Sequence, residues 1–181
     1  SAASDVYKRQ VIGQDHAVVA LRNIIKNKKI HNGYIFSGTR GIGKTSLARL
    51  FAKALNCHQY DLDNGDVCNN CPSCIDIQNN SHLDLIEIDA ASNSKVEEMR
   101  ELLDSVQFSP SNGKYKIYLI DEVHMLSKNA WNAMLKTLEE PPEHVVFLMA
   151  TTESDKIPKT IISRCLQFNL KIVSDNSIAE N

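Results

Sequence analysis

The sequence predicts an α/β fold: a mainly parallel sheet with helices on both faces. Two observations carry this. Short apolar runs alternate along the chain with longer segments of helical periodicity, the pattern of strand–helix–strand units. Several of those runs are apolar at every position, as parallel strands buried on both faces must be.

Taken in order, Gln14 to Lys28 places Ala17, Val18, Leu21, Ile24 and Ile25 at helical spacing, and Gly33 ends the pattern. Tyr34-Ile35-Phe36 reads as a buried strand running into a glycine-rich loop. Lys44 to Asn56 reads as a helix with Leu47, Ala48, Leu50, Phe51, Ala54 and Leu55 toward the sheet. Residues 57–74 are polar, turn-rich and cysteine-rich, which marks an insertion. Leu83 to Asp89 is the next strand. Ser94 and Glu97 form a capping-box pattern ahead of a helix carrying Val96, Met99, Leu102, Leu103 and Val106. After the loop Ser109 to Gly113, Lys116 to Ile120 is a strand ending on Asp121-Glu122. Ser127 caps a helix bearing Ala130, Trp131, Met134, Leu135 and Leu138, and Pro141-Pro142 closes it. Val145 to Ala150 is another buried strand, and Leu166-Gln167-Phe168 is the last expected.

The bulk numbers suit one such domain. The chain has 181 residues, 43% hydrophobic and 23% charged, with a formal net charge of -2. That charge argues against a free-standing binder of bulk nucleic acid. No apolar run reaches the length of a membrane span, and no secretory h-region is present. Five cysteines, four of them crowded together, suit metal ligation in a reducing cytoplasm better than a disulfide framework. Residues 1–10 read as the translation of a transposon-based sequencing adapter and are excluded from fold reasoning. Residues 11–170 are expected to be the domain proper, and residues 171–181 the start of a further, truncated unit.

Gly38-Thr39-Arg40-Gly41-Ile42-Gly43-Lys44-Thr45 matches the phosphate-binding P-loop in full. Glycines let the backbone curl so that successive N–H groups point at phosphate oxygens. The helix that follows adds the positive end of its dipole. Lys44 is expected on the β- and γ-phosphates of ATP, the Thr45 hydroxyl on Mg2+, and Ser46 beside them. Downstream, Asp121 would hold Mg2+ and Glu122 would orient and deprotonate an attacking water. Thr151-Thr152 ends the next strand, where a hydroxyl meets the γ-phosphate or the water, or caps a turn.

Cys57, Cys68, Cys71 and Cys74 follow C-x10-C-x2-C-x2-C. Four thiolates satisfy tetrahedral Zn2+ and leave no open position for catalysis. An iron–sulfur cluster uses the same CxxCxxC spacing, so the choice of metal stays open at this point. Asp61, Asp63, Asp66 and Asp76 surround the cluster, which argues against a zinc module that grips DNA. Ser163-Arg164-Cys165 follows a short helix starting at Pro158. On residue type alone, Arg164 reads as a surface arginine.

These motifs together resemble the tau/gamma subunits of bacterial DNA polymerase III, the clamp-loader ATPases of the AAA+ superfamily. The resemblance rests on Val11-Ile12-Gly13-Gln14, Phe36 to Gly41, the four cysteines, Glu87 to Ser92, Ile120 to Met125, Leu138 to Pro142 and Ser163-Arg164-Cys165. It implies a P-loop NTPase of AAA+ type, with a five-stranded parallel sheet in the order 5-1-4-3-2, flanking helices and a small zinc-binding insertion. It also implies that Arg164 acts in trans on a neighbouring subunit's ATP, that Thr152 is a sensor of the γ-phosphate, and that Val11 packs near adenine. The partners implied are the other subunits of a pentameric loader, the sliding clamp, primed DNA and, through a region beyond this chain, the polymerase core. Such a subunit hydrolyses ATP and does not itself polymerise. The competing readings are a silent loader subunit and a branch-migration helicase. The intact P-loop opposes the first, and the cysteine insertion opposes the second.

Overall fold

A computed structural model of the chain describes residues 14–92 and 96–172. The Val11 loop, the Ser94 end of the capping box, residues 1–10 and nearly all of segment 171–181 lie outside the described residues.

Five strands form one parallel sheet. They are β1 (Gly33–Ser37), β2 (Leu85–Asp89), β3 (Lys116–Asp121), β4 (Val145–Thr151) and β5 (Leu166–Asn169), in the spatial order β2-β3-β4-β1-β5. That is the order the resemblance implies. Every pairing is parallel, so each return crosses over through a helix. The helices are α1 (Asp15–Lys26), α2 (Lys44–Asn56), α3 (Pro72–Gln78), α4 (Val96–Asp104), α5 (Lys128–Glu139) and α6 (Lys159–Ile162).

The central strands β1 and β4 are buried at every residue, which is why they read as unbroken apolar runs. Alternation along the strands divides the core into two layers. Tyr118, Ile120, Phe147 and Met149 point to one face and pack with Met99 of α4 and Trp131 and Met134 of α5. Ile117, Leu119, Val146 and Leu148 point to the other and meet Leu21 of α1 and Leu47, Phe51 and Leu55 of α2. Within these layers the Tyr118 and Phe147 rings stack at 5.4 Å, and Tyr34 meets Phe51 edge-on at 4.9 Å.

Several boundaries move from expectation. α1 stops at Lys26, because Asn27 and Lys28 fold into a turn in which Lys28 takes φ 56°. β2 starts at Leu85, since Asp84 is occupied holding a loop: its carboxylate accepts N–H bonds from Ser111, Asn112 and Gly113. The insertion contains a helix, α3, that its polar composition hides. Ser127 caps α5 as expected, its hydroxyl accepting from the Ala130 N–H at 3.1 Å. Among the described residues no helix is long and apolar enough to cross a membrane.

Candidate functional site

The C-terminal ends of the strands share one edge of the sheet, the edge where ligands bind in open α/β folds. The register aligns them: Ser37 lies opposite Thr151, and Asp89 opposite Asp121. An open cleft of about 470 Å³ lies along this edge, lined by Arg40, Gly41, Gly43, Lys44, Thr45, Ser46, Asp89, Ala91, Asp121 and Glu122. The P-loop and the acidic pair, far apart in sequence, therefore form opposite walls of one space.

The loop leaves β1 at Gly38, whose N–H is held by the Thr151 carbonyl at 3.2 Å. Gly41 and Gly43 adopt φ 80° and 99°, a left-handed backbone in which a side chain is strained. Gly43 then starts α2 with no side-chain cap. The helix thus opens toward the cleft with backbone N–H groups, the arrangement that binds phosphate. Lys44 is only 6% exposed, and its Nζ donates to the Thr39 carbonyl at 2.9 Å, bracing the loop. Burial lowers its pKa, opposed by the carboxylates of Glu122 and Asp121. Thr39 and Ile42 complete the turn, with the Ile42 N–H returning to the Thr39 carbonyl at 3.3 Å.

On the acidic wall, Asp121 Oδ1 accepts from the Glu122 N–H at 2.9 Å. Glu122 takes φ 51°, an uncommon state for a residue with a side chain, which costs on the order of 1 kcal/mol and collects at functional sites. Behind it, the imidazole of His124 is nearly buried. Its Nδ1 is 2.9 Å from Thr151 Oγ1, and its Nε2 is 3.4 Å from Glu122 Oε2 and 3.2 Å from Glu153 Oε2. Thr151 Oγ1 also accepts from the Glu153 N–H at 3.0 Å. A polar chain thus runs from the end of β4 to Glu122. Thr152 itself is exposed, one residue past the strand.

Asp89, Ala91 and His124 enter the sequence reading only inside longer motifs, with no role assigned, and Thr151 only as one of two strand-end hydroxyls. Asp89 was recoverable, because strand alternation of β2 and β3 puts their final residues on the same edge. The bonds of His124 to Thr151, Glu122 and Glu153 were not, since spacing does not show which distant side chains meet.

Arg164 lies at the opposite end of the sheet. It lies two residues before β5, so it sits by the strand starts while the cleft lies by the strand ends. Its Nη1 donates to the Thr160 carbonyl at 2.7 Å, and its Nη2 is 3.5 Å from Glu139 Oε1. It does not line the chain's own cleft.

The four cysteines converge. Their Sγ atoms all lie within 4.8 Å of one another, and Cys68 Sγ is 3.9 Å from Cys74 Sγ. Zinc–thiolate bonds in a tetrahedron space sulfurs about 3.8 Å apart, so the set fits that ion. All four are free thiols. Backbone N–H groups of Cys68, Asn70, Cys71 and Cys74 point at cluster sulfurs at 3.2–3.4 Å, favouring thiolate character. Burial raises the Cys68 thiol, but the Asn70 and Cys71 donors outweigh it and hold its pKa down. Cys57 ends α2 and Cys71 caps α3, so the cluster fastens the insertion to the helix that begins at the P-loop.

The family described as "DNA polymerase III, delta subunit" matches residues 13–174. The DNA polymerase III subunit tau/gamma of Haemophilus influenzae is 56% identical over 172 residues, covering 94% of this chain and 25% of that protein. The chain thus spans a quarter of that relative's length. Among solved structures, a DNA polymerase III gamma subunit-related protein from Thermotoga maritima superposes with TM-score 0.55 at 20% identity, covering 88% of this chain and 47% of that one. The Thermotoga maritima RuvB Holliday junction branch migration motor gives TM-score 0.56 at 16% identity, covering 92% and 47%. Those two likenesses show a shared fold and no more. The family match over residues 13–174 shows more: this chain belongs to the DNA polymerase III subunit family, with the tau/gamma subunits among its relatives.

Proposed function

We propose that the chain is the nucleotide-binding part of an ATP-hydrolysing clamp-loader subunit of bacterial DNA polymerase III, working in the bacterial cytoplasm. The observation that carries the reading is the single cleft with Lys44 and Thr45 on one wall and Asp121 and Glu122 on the other. In this reading the backbone of residues 38–46 cradles the phosphates, and Lys44 exchanges its Thr39 bond for the β- and γ-phosphate oxygens. Thr45 and Asp121 would hold Mg2+, which when bound would neutralise phosphate charge. Glu122 accepts the proton of the attacking water as its oxygen bonds to the γ-phosphorus and the bond to ADP breaks. Arg164, on the far edge from its own cleft, serves a neighbouring subunit's ATP. Thr152 senses the γ-phosphate, and the four cysteines hold a structural zinc ion that ties the insertion to α2.

The partners follow as part of the same proposal: further loader subunits, the sliding clamp, primed DNA and the polymerase core. A branch-migration motor shares only the fold, at 16% identity. Titrating a fluorescent ATP analogue with Mg2+ into the chain and its Lys44→Ala variant tests the reading. The expected result is saturable binding that the substitution weakens at least about tenfold, a change of about 1.4 kcal/mol. Equal affinity of the two proteins would sink the phosphate-site assignment.

A further inference from the structure

Lys53 is only 4% exposed, on the inner side of α2 four residues before Cys57, which places the two side chains on one helix face. Its Nζ donates to the Asn69 side-chain oxygen, and among the described residues no carboxylate pairs with it. A buried ammonium answered only by a neutral amide is costly, and proteins retain such a charge where an anion offsets it. Asn69 sits in the turn between Cys68 and Cys71, held at φ 60°, and also receives Gln78 Nε2 at 3.4 Å. The turn that presents the sulfurs thus holds the ammonium beside them. Burial depresses the Lys53 pKa, and the four cysteine sulfurs are the groups that oppose the drop.

Four thiolates around a divalent ion leave two negative charges buried with the cluster. We propose that Lys53 is the counter-ion of this centre: its ammonium, fixed by Asn69, offsets the charge that the four thiolates retain once a divalent metal is bound. This rests on the zinc reading given above and deepens it. It also explains a lysine on the buried face of α2, where an apolar residue would otherwise serve the core. Through it the P-loop helix contributes both a metal ligand, Cys57, and the charge that makes the ligand set tolerable.

The test is zinc affinity, read by competition with a chromophoric chelator under reducing conditions, for the wild-type chain, Lys53→Met and Lys53→Arg. The stability of the metal-free form is measured in parallel. The inference expects Lys53→Met to bind zinc about ten- to a hundredfold more weakly, the range for supporting residues around a metal. Lys53→Arg should stay close to wild type. Metal-free Lys53→Met should be no less stable than the metal-free wild type, because it loses an unpaired buried charge. Equal zinc affinity of Lys53→Met and wild type overturns the counter-ion role and leaves the zinc site standing. An equal loss in the Met and Arg variants overturns it too, since packing rather than charge then explains the effect. A wild-type chain that binds no zinc sinks the four-cysteine reading and this one with it.

Discussion

Replacing Asp84 with asparagine should destabilise the fold by about 2–4 kcal/mol near neutral pH. Asp84 is 1% exposed, and its carboxylate accepts three backbone N–H bonds at 2.5–2.6 Å, from Ser111 to Oδ1 and from Asn112 and Gly113 to Oδ2. Asparagine keeps one oxygen, which can serve Asn112 and Gly113, and turns an NH2 group toward the Ser111 N–H. One hydrogen bond to a charged group, worth about 1.5–3 kcal/mol, is lost, and the other two weaken to neutral bonds. Partial rehydration of the exposed loop brings the total back into the stated range. Urea unfolding followed by circular dichroism reads this as a midpoint lowered by about 1 M or more. The pH dependence adds a second reading. Burial raises the Asp84 pKa, but the three N–H donors outweigh it and hold it below the ordinary value of 3.8. Its contribution is therefore fully present above that value and is lost as pH falls through the lower, folded-state pKa. The gap between wild type and Asp84→Asn should close in that acid range, since asparagine does not titrate. His82 does not cancel from the comparison: burial lowers its pKa and the Asp84 carboxylate opposes that drop, so Asp84→Asn also removes a charge that favours protonated His82 in acid. A gap under about 0.5 kcal/mol at neutral pH, or one that persists unchanged in acid, would refute the reasoning.

Two further outcomes are expected at the site. Glu122→Gln should leave Mg2+-dependent ATP binding within about twofold of wild type while lowering single-turnover hydrolysis about 10²-fold or more, and unchanged hydrolysis would remove Glu122 from the base role. Arg164→Ala, reconstituted with loader partners, clamp and primed DNA, should lose about 10³-fold in stimulated ATPase rate with ATP affinity intact; full activity would mean that Arg164 does no more than its bonds to Thr160 and Glu139.

The sheet was legible because burial on both faces leaves its mark at every position of Tyr34–Phe36 and Val145–Ala150. The P-loop was legible because its backbone needs glycine at fixed places, as Gly41 and Gly43 show with their positive φ. The cysteine cluster was legible from spacing, and the sulfurs do converge. What escaped depends on pairings between distant residues of ordinary type. Asp84 bonds to a loop 27 to 29 residues away, and Ser73 Oγ meets His82 Nε2 at 2.9 Å inside the insertion. Lys53 in a helical pattern looks like a solvated lysine until Asn69 is seen to hold it. α3 escaped because its seven residues bury little beyond Ser73, Cys74 and Ile77, too few for a periodic stripe.

The geometry of a parallel sheet also bears on why Arg164 would act between subunits. All five strands run one way, so the sheet has a chemical edge, where β1 delivers the P-loop and β3 delivers Asp121, and a return edge, where every helix re-enters. Arg164 follows the end of α6 on the return edge, and β5 separates it from the cleft by its full length. A four-residue parallel strand rises about 13 Å, more than an arginine side chain spans, so no rotamer of Arg164 brings its guanidinium to the chain's own cleft. An arginine on that edge can meet a phosphate only if another copy of the fold presents its chemical edge there, as a ring or spiral of repeated, head-to-tail contacts does. The present pairing with Glu139, at 3.5 Å between partly exposed groups, is weak enough for such a neighbour to displace. The same topology that builds the cleft therefore puts Arg164 on the opposite edge of the sheet, where only a second molecule could bring a phosphate to it.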